Sequence, residues 1–313
     1  MGIIGCGHAG LHHADAFAAQ QGFALAGCAS RRAETAETFG ARYGARAYPS
    51  PADLLADDAV DVVVIATPES VRLELLGEAL TRRRHLFVEK PLYAAKGQEN
   101  VTEADYFGVK AVLSNWDRDQ VSFGVNFNYR TMPHLRRMKA DVETGRLGKV
   151  KAALAWAHFA CWSHVIDQLR WMLGEVESVS ALRSPISLER VATLRFASGC
   201  VATLCGTSGR FERPTLLRVE LHGTDARASV EGVHGTYRCD YESDSDSVVW
   251  TNPDVSGAVY ASSFAESVAS YCNALRTGTS VPVTGDDGLA ELAIEAAIDR
   301  SCRTGVPERV PAL

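Results

Sequence analysis

Two rhythms of apolar and polar residues divide the chain. Up to about residue 125, short apolar runs alternate with stretches whose apolar positions recur at helical spacing. Ile3 and Ile4 open as a strand, Ala9 to Gln20 reads as a helix, Phe23 to Ala29 as a strand, and Arg32 to Tyr43 as a helix with Ala and Phe on one face. Residues 60–66, VDVVVIA, are a β-branched run suited to a strand covered on both faces. Val71 to Arg83 is helical again, and His85 to Val88 is a second buried strand. This β-α-β-α order predicts a parallel, doubly wound sheet.

Beyond about residue 148 the runs shorten. Val150–His158, Val176–Arg183, Arg190–Ala197, Cys200–Thr207, Leu217–His222 and Ala228–Glu231 read as strands, with turn pairs such as Ser198-Gly199 and Gly223-Thr224 between them. Short strands joined by tight turns predict a mostly antiparallel sheet. Helices are expected at His164–Leu173 and Asp286–Arg303, and the Ser- and Asp-rich residues 240–262 read as a mobile loop. The expected division is a first domain at 1–124 and a second at 125–313, with the final helix, 286–303, packing back towards the first.

Composition narrows the function classes. A length of 313 residues suits two domains, and 46% apolar with 22% charged residues is ordinary for a globular chain. A net charge of -6 implies no basic face, so nucleic acid is not an expected partner. No apolar run approaches the ~20 residues of a membrane span, so a membrane is not expected either. Eight scattered Cys without a C-x-x-C pair read as reduced cytoplasmic thiols, not as a disulfide framework or metal site.

The glycines are more informative than their number. Gly5-Cys6-Gly7-His8-Ala9-Gly10 fits G-x-G-x-x-G, a pattern that is weak alone. Here it follows an apolar pair, opens a predicted helix and precedes a second strand, the setting of a dinucleotide fingerprint. Gly5 permits the tight turn, Gly7 lets a pyrophosphate approach the backbone, and Gly10 lets helix and strand pack closely. The free N–H groups at the helix start, from His8 and Ala9 onward, suit phosphate charge. About twenty residues later, where an acidic residue would accept from a ribose 2′-hydroxyl, the chain has Ser30-Arg31-Arg32. A small hydroxyl beside two guanidiniums favours a 2′-phosphate, hence NADP over NAD.

Further strings then accumulate in order: Ala66-Thr67-Pro68, Glu89-Lys90-Pro91, NFNYR at 126–130, GRLGKV at 145–150, and Ser163-His164-Val165-Ile166-Asp167. Together they resemble the glucose-fructose oxidoreductase/inositol dehydrogenase/MocA family, from Gly2 to about Leu204. The resemblance implies an α/β protein with an N-terminal Rossmann domain and a C-terminal α/β domain. The large, mostly antiparallel open sheet of the latter would join copies into a homodimer or homotetramer. It implies hydride transfer between NAD(P) and a hydroxyl or ketone of a sugar, nucleotide sugar, cyclitol or related polyol. Lys90 would sit beside nicotinamide and substrate, and His164 would face the substrate as acid or base. Thr67, Pro68 and Glu89 would line the cofactor. Tyr129 and Arg130 would reach substrate or serve the domain junction, and Trp162 and Trp156 would stack on a sugar ring or fill core. Asp167, one turn after His164, would orient that imidazole or pair an arginine. A Lys or His with a near-neutral pKa suits proton delivery to a ketone oxygen.

The sequence departs from that pattern in four places. Ala160 stands where an Asp commonly precedes the motif histidine. The segment between Val150 and His164 is short, and that from Glu89 to Arg130 is about ten residues long in excess. Only four residues precede the glycine loop, so a start further upstream is expected. Two other classes stay open: a non-catalytic nucleotide-binding sensor or scaffold of the same fold, and redox-assisted lyase or glycosidase chemistry.

Overall fold

Six short strands, Gly2–Ile4 (β1), Gly27–Ala29 (β2), Arg46–Ala47 (β3), Val62–Ile65 (β4), His85–Val88 (β5) and Phe123–Val125 (β6), form a wholly parallel sheet of order β3-β2-β1-β4-β5-β6. In this computed structural model the described residues are 1–209, 216–241, 247–252 and 258–312. The VVVI run is β4, paired to β1 on one side and β5 on the other, with all four residues buried. A strand in that position must be apolar on both faces, which explains its unbroken β-branched composition. Strand order reverses between β1 and β4, the switch point at which open α/β sheets hold ligands beyond their carboxyl ends.

The connecting helices are His8–Ala18 (α1), Ala33–Tyr43 (α2), Pro51–Ala56 (α3), Arg72–Thr81 (α4) and Glu103–Leu113 (α5). Local chemistry sets several of their ends. Ser50 accepts from the Asp53 N–H and Pro51 follows it, so α3 starts there. Gly44 takes a left-handed conformation (φ 65°) and closes α2 on the Gly40 carbonyl. Ile3, Phe17, Cys28, Val64, Phe87 and Tyr271 belong to the core cluster beside this sheet.

The second half opens with Pro133–Glu143 (α6), Ala152–His158 (β7) and Trp162–Leu173 (α7). Seven more strands follow: Val176–Arg183 (β8), Arg190–Phe196 (β9), Val201–Thr207 (β10), Leu217–His222 (β11), Ala226–Glu231 (β12), Thr236–Tyr241 (β13) and Ser247–Thr251 (β14). Ala258–Thr277 (α8), Gly285–Thr304 (α9) and Glu308–Arg309 (β15) complete the chain's elements. The nine-stranded sheet runs β14-β13-β12-β11-β7-β10-β9-β8-β15 and is antiparallel except where β10 lies parallel to β7. β9 alternates strictly between buried and exposed residues, the period of a sheet with one covered face. On the other face, in register across β7, β9 and β10, lie Leu154, Thr193 and Thr203, with Trp156, Val191 and Cys205 beside them.

The chain forms two compact units. One comprises Met1–Gly97, Ala104–Asn128 and Ala261–Ala290; the other comprises Gln98–Glu103, Tyr129–Tyr260 and Glu291–Leu313. Several sequence expectations need correction. The loop expected at 240–262 contains β14 and the first turn of α8; residues 242–246 and 253–257 of it lie outside the described residues. Paired structure in the strand expected from Phe23 begins only at Gly27, where the ladder with β1 begins at Gly2. Between Glu89 and Arg130 lie α5 and β6.

Candidate functional site

The glycine loop leaves β1 and turns directly into α1. Gly5 has φ +105°, and a Cβ there would lie 2.6 Å from the Ala66 carbonyl carbon, so only glycine fits. Its N–H donates to the Ala29 carbonyl at 2.9 Å, tying the loop to the end of β2. A Cβ on Gly10 would come within 2.1 Å of the Gly5 oxygen, so the helix can approach the loop only without a side chain. Gly7 is the opposite case: nothing lies within 4 Å of where its Cβ would be. Gly7 is also the N-cap of α1, and no side-chain hydrogen bond caps the helix there. Open space in front of uncapped first-turn N–H groups is a cradle that fits a diphosphate.

His8 is the exposed first residue of α1 and Ala9 the second. The imidazoles of His8 and His12 meet at 3.2 Å between their Nε2 atoms. Ser30 is half-buried after β2, and Arg31 and Arg32 are exposed, with Arg32 as the N-cap of α2. A groove of about 440 Å³ lined by Cys6, Leu11, Arg32, Thr35, Phe39 and Arg42 joins the glycine loop to α2. Glu34 also lines it.

The carboxyl ends of β4 and β5 carry the two remaining motifs. Thr67 and Pro68 follow β4; Glu89 and Lys90 follow β5, and the Lys90–Pro91 bond is cis. The Glu89 carboxylate is 8% exposed and turned inward, where His13 Nε2 meets Oε1 at 2.7 Å and the Asn126 amide donates to it at 2.8 Å. Burial alone would push this carboxyl up. The His13 hydrogen bond and charge, the Arg72 charge and the Asn126 amide outweigh it and hold the group at about 2. Arg72, on the first turn of α4, is 4% exposed, and burial lowers its guanidinium to about 10, so it stays charged at neutral pH. It donates to the Thr67 carbonyl from Nε (3.0 Å) and Nη2 (2.6 Å), and from Nη1 to the Glu89 carbonyl (2.7 Å) and to the Pro91 carbonyl.

Sequence reasoning missed His13, Arg72 and the side-chain role of Asn126. The available signals were small: His13 falls one turn after Gly10, Asn126 opens the NFNYR string, and Arg72 lies five residues after Thr67 at the head of a helical stretch.

In the second unit, β7 passes through one short turn, Phe159–Cys161, straight into α7. Ala160 sits in that turn and donates its N–H to His158 Nδ1 at 3.1 Å. His164, 4% exposed, stacks on Tyr129 with centroids 3.8 Å apart and planes 3° from parallel. The Tyr129 hydroxyl meets the Cys161 thiol at 3.2 Å; burial and that thiol push the phenol well above its usual range. Asp167 takes both forks of Arg130, at 2.8 and 2.5 Å, which is one of its two expected tasks. Trp162 is fully buried. Its indole N–H donates to Glu295 at 3.0 Å, and the Arg190 guanidinium lies 5.4 Å from its ring centroid. Trp156 is half-buried on β7. The buried amide of Gln168 and the Ser163 hydroxyl, both on α7, have no hydrogen-bond partner among the described residues. Thus Tyr129, Arg130, His164 and Asp167 form one constellation, while Trp162 faces a buried carboxylate.

Residues 1–114 match the profile of the oxidoreductase family with an NAD-binding Rossmann fold, and residues 157–310 match that family's C-terminal α/β domain. The chain belongs to this oxidoreductase family, the glucose-fructose oxidoreductase/inositol dehydrogenase/MocA group. Among its curated members, the uncharacterized oxidoreductase YrbE of Bacillus subtilis (strain 168) is 27% identical, over 82% of this chain and 80% of that protein. The inositol 2-dehydrogenase of Rhizobium meliloti (strain 1021) is 24% identical over 96% of each. Among solved structures, a levoglucosan dehydrogenase in complex with NADH and levoglucosan superposes with a TM-score of 0.88 at 22% identity, covering 99% of both chains. Among the described residues no helix is long and apolar enough to cross a membrane.

Proposed function

We propose that the protein is a cytoplasmic NADP(H)-linked oxidoreductase. Its reaction moves hydride between the nicotinamide and a ketone or hydroxyl of a sugar, nucleotide sugar, cyclitol or related polyol. The observation that carries this reading is the cradle at Gly7 in a sheet that also places Lys90 at the carboxyl end of β5. The family's inositol and levoglucosan dehydrogenases support the cyclic, hydroxyl-rich substrate class.

In this reading residues 1–124 hold the cofactor. Gly5, Gly7, His8, Ala9 and Gly10 receive the diphosphate; Ser30, Arg31 and Arg32 receive the adenosine 2′-phosphate; Thr67, Pro68, Glu89 and Lys90 line the remainder. When bound, the nicotinamide supplies or accepts the hydride. Lys90 holds or releases the proton of the reacting oxygen, a role worth roughly 10²–10⁴-fold, and His164 is the second acid/base candidate. Arg130 is neutralised by Asp167, and the face of Tyr129 holds His164. Residues 125–313 recognise substrate and join copies through the open face of the nine-stranded sheet.

A charged hydrogen bond from Arg31 or Arg32 is worth about 1.5–3 kcal/mol, enough for a ten- to hundredfold preference for the phosphorylated dinucleotide. Fluorescence titration with NADPH and NADH tests this; clear preference for NADH would remove the arginines from the account. A second reading, a non-catalytic nucleotide-binding sensor, is favoured by Ala160, which leaves a methyl where a carboxylate is usual. Binding of NADPH without turnover on any keto-sugar or polyol would select it.

A further inference from the structure

The guanidinium of Arg72 touches both loops that follow the two central strands. Nε and Nη2 grip the Thr67 carbonyl, and Nη1 reaches the Glu89 and Pro91 carbonyls, which bracket Lys90. A buried charge bonded only to main-chain oxygens is costly unless every donor is used, and these bonds spend it on two specific loop conformations. The buried Glu89 carboxylate balances this charge, while the neighbouring α4 residues Leu76, Ala79 and Leu80 are buried apolar groups that offer it no hydrogen bond. The inward carboxylate of Glu89 fixes the same loop from the other side through His13 and Asn126. The Lys90 main chain is therefore anchored before and after the residue, and to the Thr67 loop as well.

We propose that Arg72 is a positioning residue: it sets Lys90 relative to the Thr67-Pro68 loop by clamping the three carbonyls of Thr67, Glu89 and Pro91. Lysine at this position keeps the charge but lacks the planar fork, so it cannot serve carbonyls on two loops at once. The proposal rests on the reading of Lys90 as an acid/base, but its geometric half does not need that reading.

The test uses cofactor-free protein first. The chain has six lysines, at 90, 96, 110, 139, 149 and 151. Reductive methylation with carbon-13 formaldehyde labels them, and Lys90→Arg assigns the Lys90 signal. In wild-type protein that signal is resolved from those of the other lysines. In Arg72→Lys and Arg72→Met it moves away from its wild-type position. Turnover of Arg72→Lys then falls about ten- to hundredfold, with KM and the dissociation constant for NADPH changed less than about threefold. An unmoved Lys90 signal in a folded variant overturns the proposal. So does a wild-type Lys90 signal that coincides with the exposed lysines, a result available even if both variants fail to fold. Unchanged turnover in Lys90→Ala would instead remove the acid/base reading and leave the Lys90 signal test standing.

Discussion

The two units solve the problem of buried charge differently. In the first, the Arg72 cation is held by main-chain carbonyls of two loops, and the Glu89 carboxylate beside it by the side chains of His13 and Asn126. In the second, Arg130 and Asp167 satisfy each other fork to fork, and His164 is fixed by the face of Tyr129. A site built on backbone conformation tolerates few changes in its glycines and loop residues. A site built on paired side chains depends on individual partners. That contrast yields predictions on both sides.

The largest effect is expected at Gly10. Its replacement by Val drives a side chain into the Gly5 oxygen, and titration should show no NADPH binding together with a clear drop in melting temperature. Gly7→Ala, with open space around it, should keep the wild-type melting temperature and lose affinity alone; a fall in both would erase the distinction between the two glycines.

Next in size is Asp167→Asn, which strands the Arg130 charge at a nearly dry site and should cost about 3–5 kcal/mol in denaturant unfolding. Breaking the exposed Arg218–Glu231 pair by Glu231→Gln should cost about 0–1 kcal/mol. Equal losses would contradict the burial argument.

Acid sensitivity should separate the units as well. The Glu89 carboxyl is depressed below its ordinary value, so its stabilisation is complete above about pH 4.5 and is lost as pH falls towards 2. Glu89→Gln should be less stable at neutral pH and should show a flatter loss of stability through that window. An acid limb identical to wild type would show that the carboxylate is not held down by its partners.

The smallest effect on the isolated chain is expected on the open face of the second sheet. Leu154→Lys, at a position 52% exposed, should alter unfolding by no more than ~0.5 kcal/mol while reducing the molecular mass seen by light scattering. An unchanged mass would place the association of copies elsewhere.

Legibility in the sequence followed the same divide. β4 and the glycine loop were readable because burial on both faces and a forced positive φ each demand a narrow choice of residue. β14 and α8 were not, since Ser and Asp around residues 240–262 mask the exposed valines of an outer strand and a helix whose buried face is broken by serines. Motif order pointed to Lys90, His164 and Asp167, and the arginine partner of Asp167 was one of two expectations. Arg72 and His13 carry no local pattern. Their meaning comes from carbonyls and a carboxylate 5 to 76 residues away in sequence, contacts that only the folded chain assembles.

The most direct test of the central claim is turnover on a panel of keto-sugars and polyols, followed through nicotinamide absorbance, in wild-type protein and in Lys90→Ala. The account predicts turnover in the wild type that falls by roughly 10²–10⁴-fold in the variant, with NADPH affinity retained. Turnover that survives the loss of Lys90 unchanged would contradict it.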